Sequence, residues 1–372
     1  MKKLLLISLL GSFFAPFSVS AGEWEFDITG TGKGIYGYSA ITPKNKKHSH
    51  SNQATGSTEI NTSAIYTFDN QDYNLGIFLD IMGGVDKELK NYNQGTWGEE
   101  IYSIADTPYG RVMIGQTYNV AAQFYEGSPT TGAFTSNSDI VDFMRNPNWI
   151  RNNKTTRFST LNSVYINTDG VAPKFSYISP EFKNTSIGLS YIPETYNRRG
   201  LVNKHAPYAN KDGFVTALHT YQELSGININ FSAAVAQFHD DDKELSTSIN
   251  LQYGNWSLGG GYRKTYVDGT EASTIYDSKL PFLYDTYREA HSWEIGIGYE
   301  FGPFKSSISY FESQADNLPN QDKIWTLSNQ YQVNKYLNIF LAVAHVNFEE
   351  YSHNIYDNNQ GWVFASGIGL NF

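Results

Sequence analysis

The sequence contains no cysteine and few charged residues, and each scarcity excludes a class of protein. Without cysteine there is no disulfide framework, no thiol nucleophile and no thiolate metal site. The charged fraction is 17%, and the formal net charge of -10 becomes -12 once Lys2 and Lys3 are removed, which argues against a nucleic-acid partner. After residue 21 no apolar run approaches the roughly 18 residues of a membrane-spanning helix, so any membrane crossing must use strands.

Motifs of catalysis and cofactor binding are also missing. The sequence has no Gly-rich phosphate loop, no Gly-x-Ser-x-Gly elbow and no His-Glu-x-x-His. His48 and His50 are spaced like a metal pair, but nearby lysines would repel a cation, which favours a solvated loop. Asp240, Asp241 and Asp242 are more typical of a charged hairpin tip than of a divalent-cation site. We therefore expect no enzyme activity, no cofactor and no metal.

The first 21 residues have the form of a secretory signal peptide. Met1-Lys-Lys3 is basic, Leu4 to Val19 is mostly apolar, and Ser18-Val-Ser-Ala21 offers small residues for cleavage. We predict a signal peptide over 1–21 and a single domain over 22–372, because no change in composition marks a second domain.

Strict alternation of side chains is what the sequence has in abundance, and the last twelve residues show it best. One face of this stretch is apolar and the other is small or polar, which predicts a strand. The apolar face carries Trp362, Phe364, Ile368, Leu370 and Phe372. An open edge this apolar would aggregate, whereas pairing with the first strand closes a barrel whose apolar face lies in lipid.

Similar strands recur along the chain, and two kinds of connection separate them. The short turns are 69–72, 254–255, 302–303 and 333–335, and the long polar loops are 40–56, 83–96, 193–212, 268–289 and 349–360. Aromatic residues, 15% of the chain, cluster at strand ends as they do at membrane interfaces. The pattern predicts an all-β fold, a transmembrane antiparallel β-barrel of about 16 strands.

Three motifs occur in an order that resembles one known family. They are Glu100 to Gln116, with an aromatic-Gly turn and a short strand, then Asn162-Ser-Val164, and then Tyr177-Ile-Ser-Pro-Glu-Phe182. This series is similar to the strand and turn signatures of the general, trimeric porins of the Gram-negative outer membrane. Two departures stand out: Gln116 replaces a frequent Arg, and extra residues separate the last two motifs.

The resemblance implies a homotrimeric channel in the cell outer membrane through which ions and small hydrophilic solutes diffuse passively. It also implies contact with outer-membrane lipid and lipopolysaccharide, and insertion by the barrel-assembly machinery through a C-terminal signal that comprises Trp362, Ile368, Leu370 and Phe372. Small outward residues on the first two strands would suit subunit contact; these are Gly30, Gly32, Gly34, Thr58, Thr62 and Ala64.

The family's third extracellular loop folds into the lumen and narrows the pore. About fifty residues without sustained alternation follow Tyr118, and the resemblance places this constriction loop at about 118–157. Its candidate acidic residues are Glu126, Asp139 and Asp142. The candidate basic residues of the facing wall are Lys33, Arg157, Lys174 and Arg263.

The balance of inward charge predicts a weakly cation-selective pore. Alternation turns six acidic residues inward, namely Glu23, Glu25, Asp27, Asp80, Glu294 and Glu300. A negative lumen enriches cations, most strongly at low salt. The alternatives are a protease or lipase built on an outer-membrane barrel, and a structural or adhesive barrel with a plugged lumen.

Overall fold

The computed structural model describes an all-β chain. It covers residues 22–41, 52–68, 72–84, 97–131, 140, 143–144, 146–151, 156–158, 160–194, 211–238, 242–266, 289–316, 319–350 and 358–372. The strands are β1 Gly22–Ile41, β2 Asn52–Phe68, β3 Asn74–Gly84, β4 Trp97–Thr107, β5 Gly110–Gln116, β6 Trp149–Arg151, β7 Thr156–Phe158, β8 Pro173–Ile178, β9 Thr185–Glu194, β10 Lys211–Leu224, β11 Ile227–Phe238, β12 Asp242–Tyr253, β13 Trp256–Tyr266, β14 Ala290–Phe301, β15 Phe304–Ala315, β16 Gln321–Gln332, β17 Leu337–Glu349 and β18 Asn359–Asn371. A single-turn helix, α1, spans Val120–Gln123.

Sixteen of these strands form one closed antiparallel barrel, and β6 pairs only with β7. Each barrel strand pairs with its neighbours in sequence, with β5 and β8 adjacent across the long loop, and β18 pairs with β1 to close the ring. The predicted fold and strand number are confirmed. When cross-strand partners are followed once around the barrel from Gly22, the path returns to β1 about 20 residues farther along, just beyond Ile41. The shear is therefore about 20 residues, and the strands tilt by about 43° from the barrel axis.

Side-chain alternation separates two surfaces. The outward face carries exposed apolar and aromatic residues, among them Trp362, Ile368 and Leu370 on β18 and Phe372 directly after it. Rings gather where the short turns join strands, as in the outward pair Trp256 and Tyr299, whose centroids are 4.4 Å apart. This face suits a lipid environment. Among the described residues, no helix has the length and apolarity needed to cross a membrane.

The loop between β5 and β8 lies inside the barrel and packs on its wall through two apolar clusters. One cluster joins α1 and the end of the loop to β9–β11, with Val120, Phe124 and Ile166 against Ile192 and Phe238. The other joins the middle of the loop to β15–β18 and includes loop residues Ile140, Phe143, Met144 and Val164. The inward fold of the loop agrees with the sequence prediction, although the loop returns to the wall only at Pro173 rather than near residue 157.

Candidate functional site

The lumen has two unlike walls. From β9 round to β18 the loop covers the inner surface, as the two apolar clusters show. On the first half of β1 and on β2, in contrast, inward side chains stay exposed or partly exposed, including Glu23, Glu25, Asp27 and Glu59. The aqueous path therefore runs beside the wall of β1 and β2.

The loop leaves the wall at β5 through contacts with a carboxylate. Glu100 on β4 accepts hydrogen bonds from Thr117 Oγ1 and from the Tyr118 amide, both at 2.9 Å. Asn119 then caps α1, because its side-chain oxygen accepts from the amides of Ala121 and Ala122. Its side-chain nitrogen donates to Asp169 Oδ1 at the far end of the loop, so the two ends are tied together.

The outgoing half of the loop is bound by polar residues of β12 and β14. The Glu126 amide donates to Ser248 Oγ, and Asn250 donates to the Gly127 carbonyl at 3.0 Å. Glu294 accepts from the Tyr125 hydroxyl and, at 2.9 Å, from the Ser128 amide. Burial, and then the neighbouring charge of Glu294, raises the pKa of Tyr125, which stays protonated as the donor. Glu294 thus faces inward as predicted, but it serves the loop.

Lys174 holds the returning end of the loop. Its ammonium lies 3.1 Å from Asp169 Oδ2, and neither side chain is exposed. The same nitrogen donates to the carbonyls of Thr117 and Gly170, which belong to the two ends of the loop. Lys174 does lie on the inner wall as predicted, but its charge is neutralised and hidden from the lumen.

Arg263 on β13 is equally hidden, with 1% of its surface exposed. Its Nη2 and Nε lie 2.7 and 2.9 Å from Glu244 Oε2 on the neighbouring strand. Its remaining donors reach Ser163 Oγ, Asn167 Oδ1 and Thr168 Oγ1, all on the returning half of the loop. A guanidinium offers five donors in a fixed fork, and here it joins two strands and the loop.

Asp322 fixes the loop farther round the barrel. This buried residue of β16 accepts from Asn148 at 2.7 Å and from Thr160 at 2.5 Å, two loop residues on either side of β6 and β7. Nearby, the amide of Leu161 donates to Ser313 Oγ at 2.7 Å. The inner wall therefore carries a series of buried polar anchors that match the path of the loop.

The other predicted site residues fall into three groups. Lys33 is exposed on the inward face of β1, and the exposed Glu126 lies on the loop, 3.9 Å from His219 Nε2. Arg157 was predicted on the wall, and this is wrong, because it belongs to β7, which pairs with β6 inside the loop. Asp139 and Asp142 lie outside the described residues, as do His48, His50, Asp240 and Asp241.

The remaining acidic residues and one unpredicted base complete the lumen. Asp80 is inward and buried, and Glu300 pairs with Lys305 at 2.7 Å near a short turn. Sequence reasoning missed Arg111 on β5, which is half exposed and lies 2.6 Å from Asp106 on β4. The inward parity of Arg111 could have revealed it. In the part of the chain that the structure describes, no cluster of three or more histidine or acidic residues could hold a metal ion.

A closed barrel of sixteen strands with a loop bound along its inner wall defines the class of outer-membrane porins. The chain belongs to the Gram-negative porin family, whose model matches residues 8–351. It is an outer-membrane barrel protein.

Solved structures show the same fold. The anion-selective porin from Comamonas acidovorans matches with a TM-score of 0.60 and 12% identity over 94% of this chain and 100% of that one. OmpF of Salmonella typhi, solved with daunomycin, has a TM-score of 0.59 and 15% identity over 93% and 97%. OmpT of Vibrio cholerae, in its trimer form, has a TM-score of 0.57 and 10% identity over 94% and 99%.

One curated relative is an uncharacterized protein of Rickettsia conorii. It is 25% identical over 252 residues, which is 60% of this chain. The chain spans only about half the length of that relative, because the match covers 54% of it.

Proposed function

We propose that the chain forms a homotrimeric, weakly cation-selective pore for the passive diffusion of ions and small hydrophilic solutes, with no catalytic activity. The proposed cation selectivity rests on one observation, the burial of two basic residues of the inner wall. Lys174 and Arg263 are each bound to a carboxylate and are covered by the loop. A buried ion pair adds little net field to the water beside it.

The charges left in contact with the lumen are mainly acidic. Glu23, Glu25 and Asp27 are exposed on the inward face of β1, and Glu126 is exposed on the loop. Lys33 opposes them, and Arg111 is compensated by Asp106. Acidic residues that line an aqueous path attract cations, and the effect is screened within about 10 Å at 0.1 M salt.

The reversal potential in a potassium chloride gradient tests the selectivity. We expect a modest preference for potassium that grows at low salt. Neutralising Glu23, Glu25 and Asp27 together should reduce that preference, and Glu126→Gln should reduce it further. Replacing Asp240, Asp241 and Asp242 by asparagine is the control and should have less effect. A clear preference for chloride in the unmodified protein would overturn the proposal.

The outward face of β1 supports the trimer. A Cβ on Gly32 or Gly34 would lie 4.0 Å from the nearest side chain of β18, so the surface there is flat and open to close approach. Leucine at both positions should reduce the yield of cross-linked trimer, whereas Thr247→Leu on the outward face of β12 should leave that yield unchanged. A purely monomeric unmodified protein would contradict the trimer.

Solute flux and enzyme assays separate the channel from the alternatives. Liposomes that carry the protein should swell in small sugars, whereas a plugged barrel would leave them unchanged. Hydrolysis of lipid or peptide substrates by the purified protein would instead favour an enzyme.

We also propose that Trp362, Ile368 and Leu370 on the outward face of β18, together with Phe372 directly after the strand, form the signal for barrel assembly. Alanine at these four positions should reduce insertion into the outer membrane.

A further inference from the structure

One histidine of the barrel wall faces the lumen beside the inserted loop. His219 on β10 shares the inward face with the buried residues Val215 and Ala217. Of the three histidines in the part of the chain that the structure describes, His291 and His345 lie between buried inward neighbours and therefore point outward. His219 is thus the only one of these three imidazoles whose charge would face the lumen.

The position of His219 is at the edge of the wall that the loop covers. Ala217, one inward position closer to the long loops, is 2% exposed and packs in one apolar cluster with α1. Tyr221, one inward position closer to the short turn, is 38% exposed. The side chain of His219 itself is 26% exposed and lies against the ring of Phe124, with centroids 5.6 Å apart. A charge on this imidazole would therefore lie beside the water of the lumen.

The loop offers His219 a carboxylate. Glu126 Oε1 lies 3.9 Å from His219 Nε2, and the Glu126 side chain is 46% exposed. Nε2 is buried and has no hydrogen-bond partner. The amide of Glu126 donates to Ser248 Oγ on β12, which keeps this part of the loop beside the wall. A movement of the carboxylate by about 1 Å would bring the two atoms within hydrogen-bond distance.

The described elements around the imidazole present mainly uncharged side chains to it. Its row on β9, β11 and β12 consists of Ser186, Ser232 and Ser248. Charged residues elsewhere on these strands and their turns include Glu223, Lys183 and Glu244. Glu223 lies four residues along β10, roughly 13 Å away, and Glu244 is bound to Arg263. Among the described residues, Glu126 is the one charged group within ion-pair distance of His219.

We propose that His219 is a specificity-determining residue of the channel, which lowers the cation preference at acid pH by pairing with Glu126. Histidine is the side chain that ordinarily gains a proton between pH 8 and 5. Once protonated, Nε2 donates to Glu126 Oε1, and the pair presents no net charge to the lumen. Carboxylates ordinarily lose their charge only near pH 4, so this step precedes the titration of the lumen acids. The inference rests on the proposed channel function and adds a pH response to its selectivity.

Reversal potentials in a potassium chloride gradient, measured from about pH 8 to about pH 5, test this role. In the unmodified protein the ratio of potassium to chloride permeability should fall roughly 1.5- to 2-fold, because one lumen charge is neutralised. His219→Gln gains no proton, so it should keep the ratio of pH 8 and lose most of the fall. His219→Lys is positive at every pH tested and should show the low ratio throughout.

Two further variants separate the pairing from other titrations. Glu126→Gln removes the partner, so the midpoint of the remaining pH response should move down by roughly 0.2–0.7 pH units. His345→Gln is the matched control and should keep the full response, because His345 points outward on β17 and packs against Trp362.

The outcomes distinguish this inference from the channel on which it rests. A constant ratio in the unmodified protein, or an equal fall in His219→Gln, would overturn the role of His219. An unshifted midpoint in Glu126→Gln would overturn the pairing. A preference for chloride in the unmodified protein already at pH 8 would instead refute the proposed cation selectivity, and absence of any conductance would refute the channel.

Discussion

The ammonium of Lys174 and the carboxylate of Asp169 lie 3.1 Å apart with no exposed surface on either side chain. One residue belongs to a barrel strand and the other to the last residues of the inserted loop. The ion pair therefore joins the loop to the wall at the point where the chain re-enters the barrel. The sequence predicted Lys174 at the pore surface, but the residue is buried and holds the loop in place instead.

Lys174→Met should destabilise the protein without changing its selectivity. The substitution leaves Asp169 buried without its partner, and breaking a buried ion pair costs about 3–5 kcal/mol. Thermal unfolding followed by circular dichroism should show the loss, and the reversal potential should stay constant. Lys33→Met is the matched control, because Lys33 is exposed to the lumen. It should shift the reversal potential toward cations and leave the unfolding temperature unchanged; the opposite pattern would contradict both assignments.

Arg263 and Glu244 should show energetic coupling. Removing either charge leaves the other buried, whereas Arg263→Met with Glu244→Gln removes both. A double-mutant cycle on unfolding free energies should give a coupling of about 1–3 kcal/mol. Arg263→Met alone also frees the segment of Ser163 to Thr168 from the wall, so single-channel conductance should become noisier or larger. Additive effects of the two substitutions would mean that the pair acts through separate contacts.

Gly37 and Phe143 should depend on one another. A Cβ at Gly37 on β1 would overlap the Phe143 ring of the loop. Gly37→Ala should therefore cost about 1–3 kcal/mol by overpacking and should shift the loop toward the lumen. Single-channel conductance would report that shift as a decrease. Adding Phe143→Leu to Gly37→Ala should restore most of the conductance, and a lack of rescue would argue against this contact.

Sequence patterns predicted the barrel better than the loop, because strand alternation is local whereas the contacts of the loop join residues far apart in the sequence. Alternation on β12 or β18 is a local property that fixes which face meets lipid. The loop anchors depend on residues distant in sequence, such as Ser163 and Arg263, and no local pattern reveals such a pair. Arg157 shows the same limit, because an extended segment does not specify its partner, and β7 pairs with β6 rather than with the barrel.

Asp316, just after β15, should confer acid sensitivity on the long-loop end of the barrel. Burial would raise its pKa, but hydrogen bonds from Lys264 and His291 outweigh burial and lower it. The carboxylate therefore contributes stability above its unfolded pKa near 3.9, and that contribution is lost as pH falls through the lower folded value. Unfolding temperatures measured from pH 6 to about pH 2 should fall more steeply in the unmodified protein than in Asp316→Asn. Parallel curves would contradict the assignment.

Closure of the barrel should depend on Gly30 and Phe372. Their backbones exchange hydrogen bonds of 2.8 and 3.0 Å, and the Phe372 ring occupies the space that a Cβ on Gly30 would need. Gly30→Val should therefore cost about 1–3 kcal/mol and lower the temperature at which the folded barrel unfolds on a detergent gel.

A neighbouring glycine provides the control for closure. Gly32 has the same outward parity, but a Cβ there would lie 4.0 Å from Leu370, so Gly32→Val should leave the monomeric barrel's unfolding temperature nearly unchanged. Adding Phe372→Ala to Gly30→Val removes the overlap while the two backbone bonds remain, so part of the lost stability should return. If Gly30→Val and Gly32→Val were equally destabilising, the loss would be common to both positions of β1, and the ring of Phe372 would have no special part in closing the barrel.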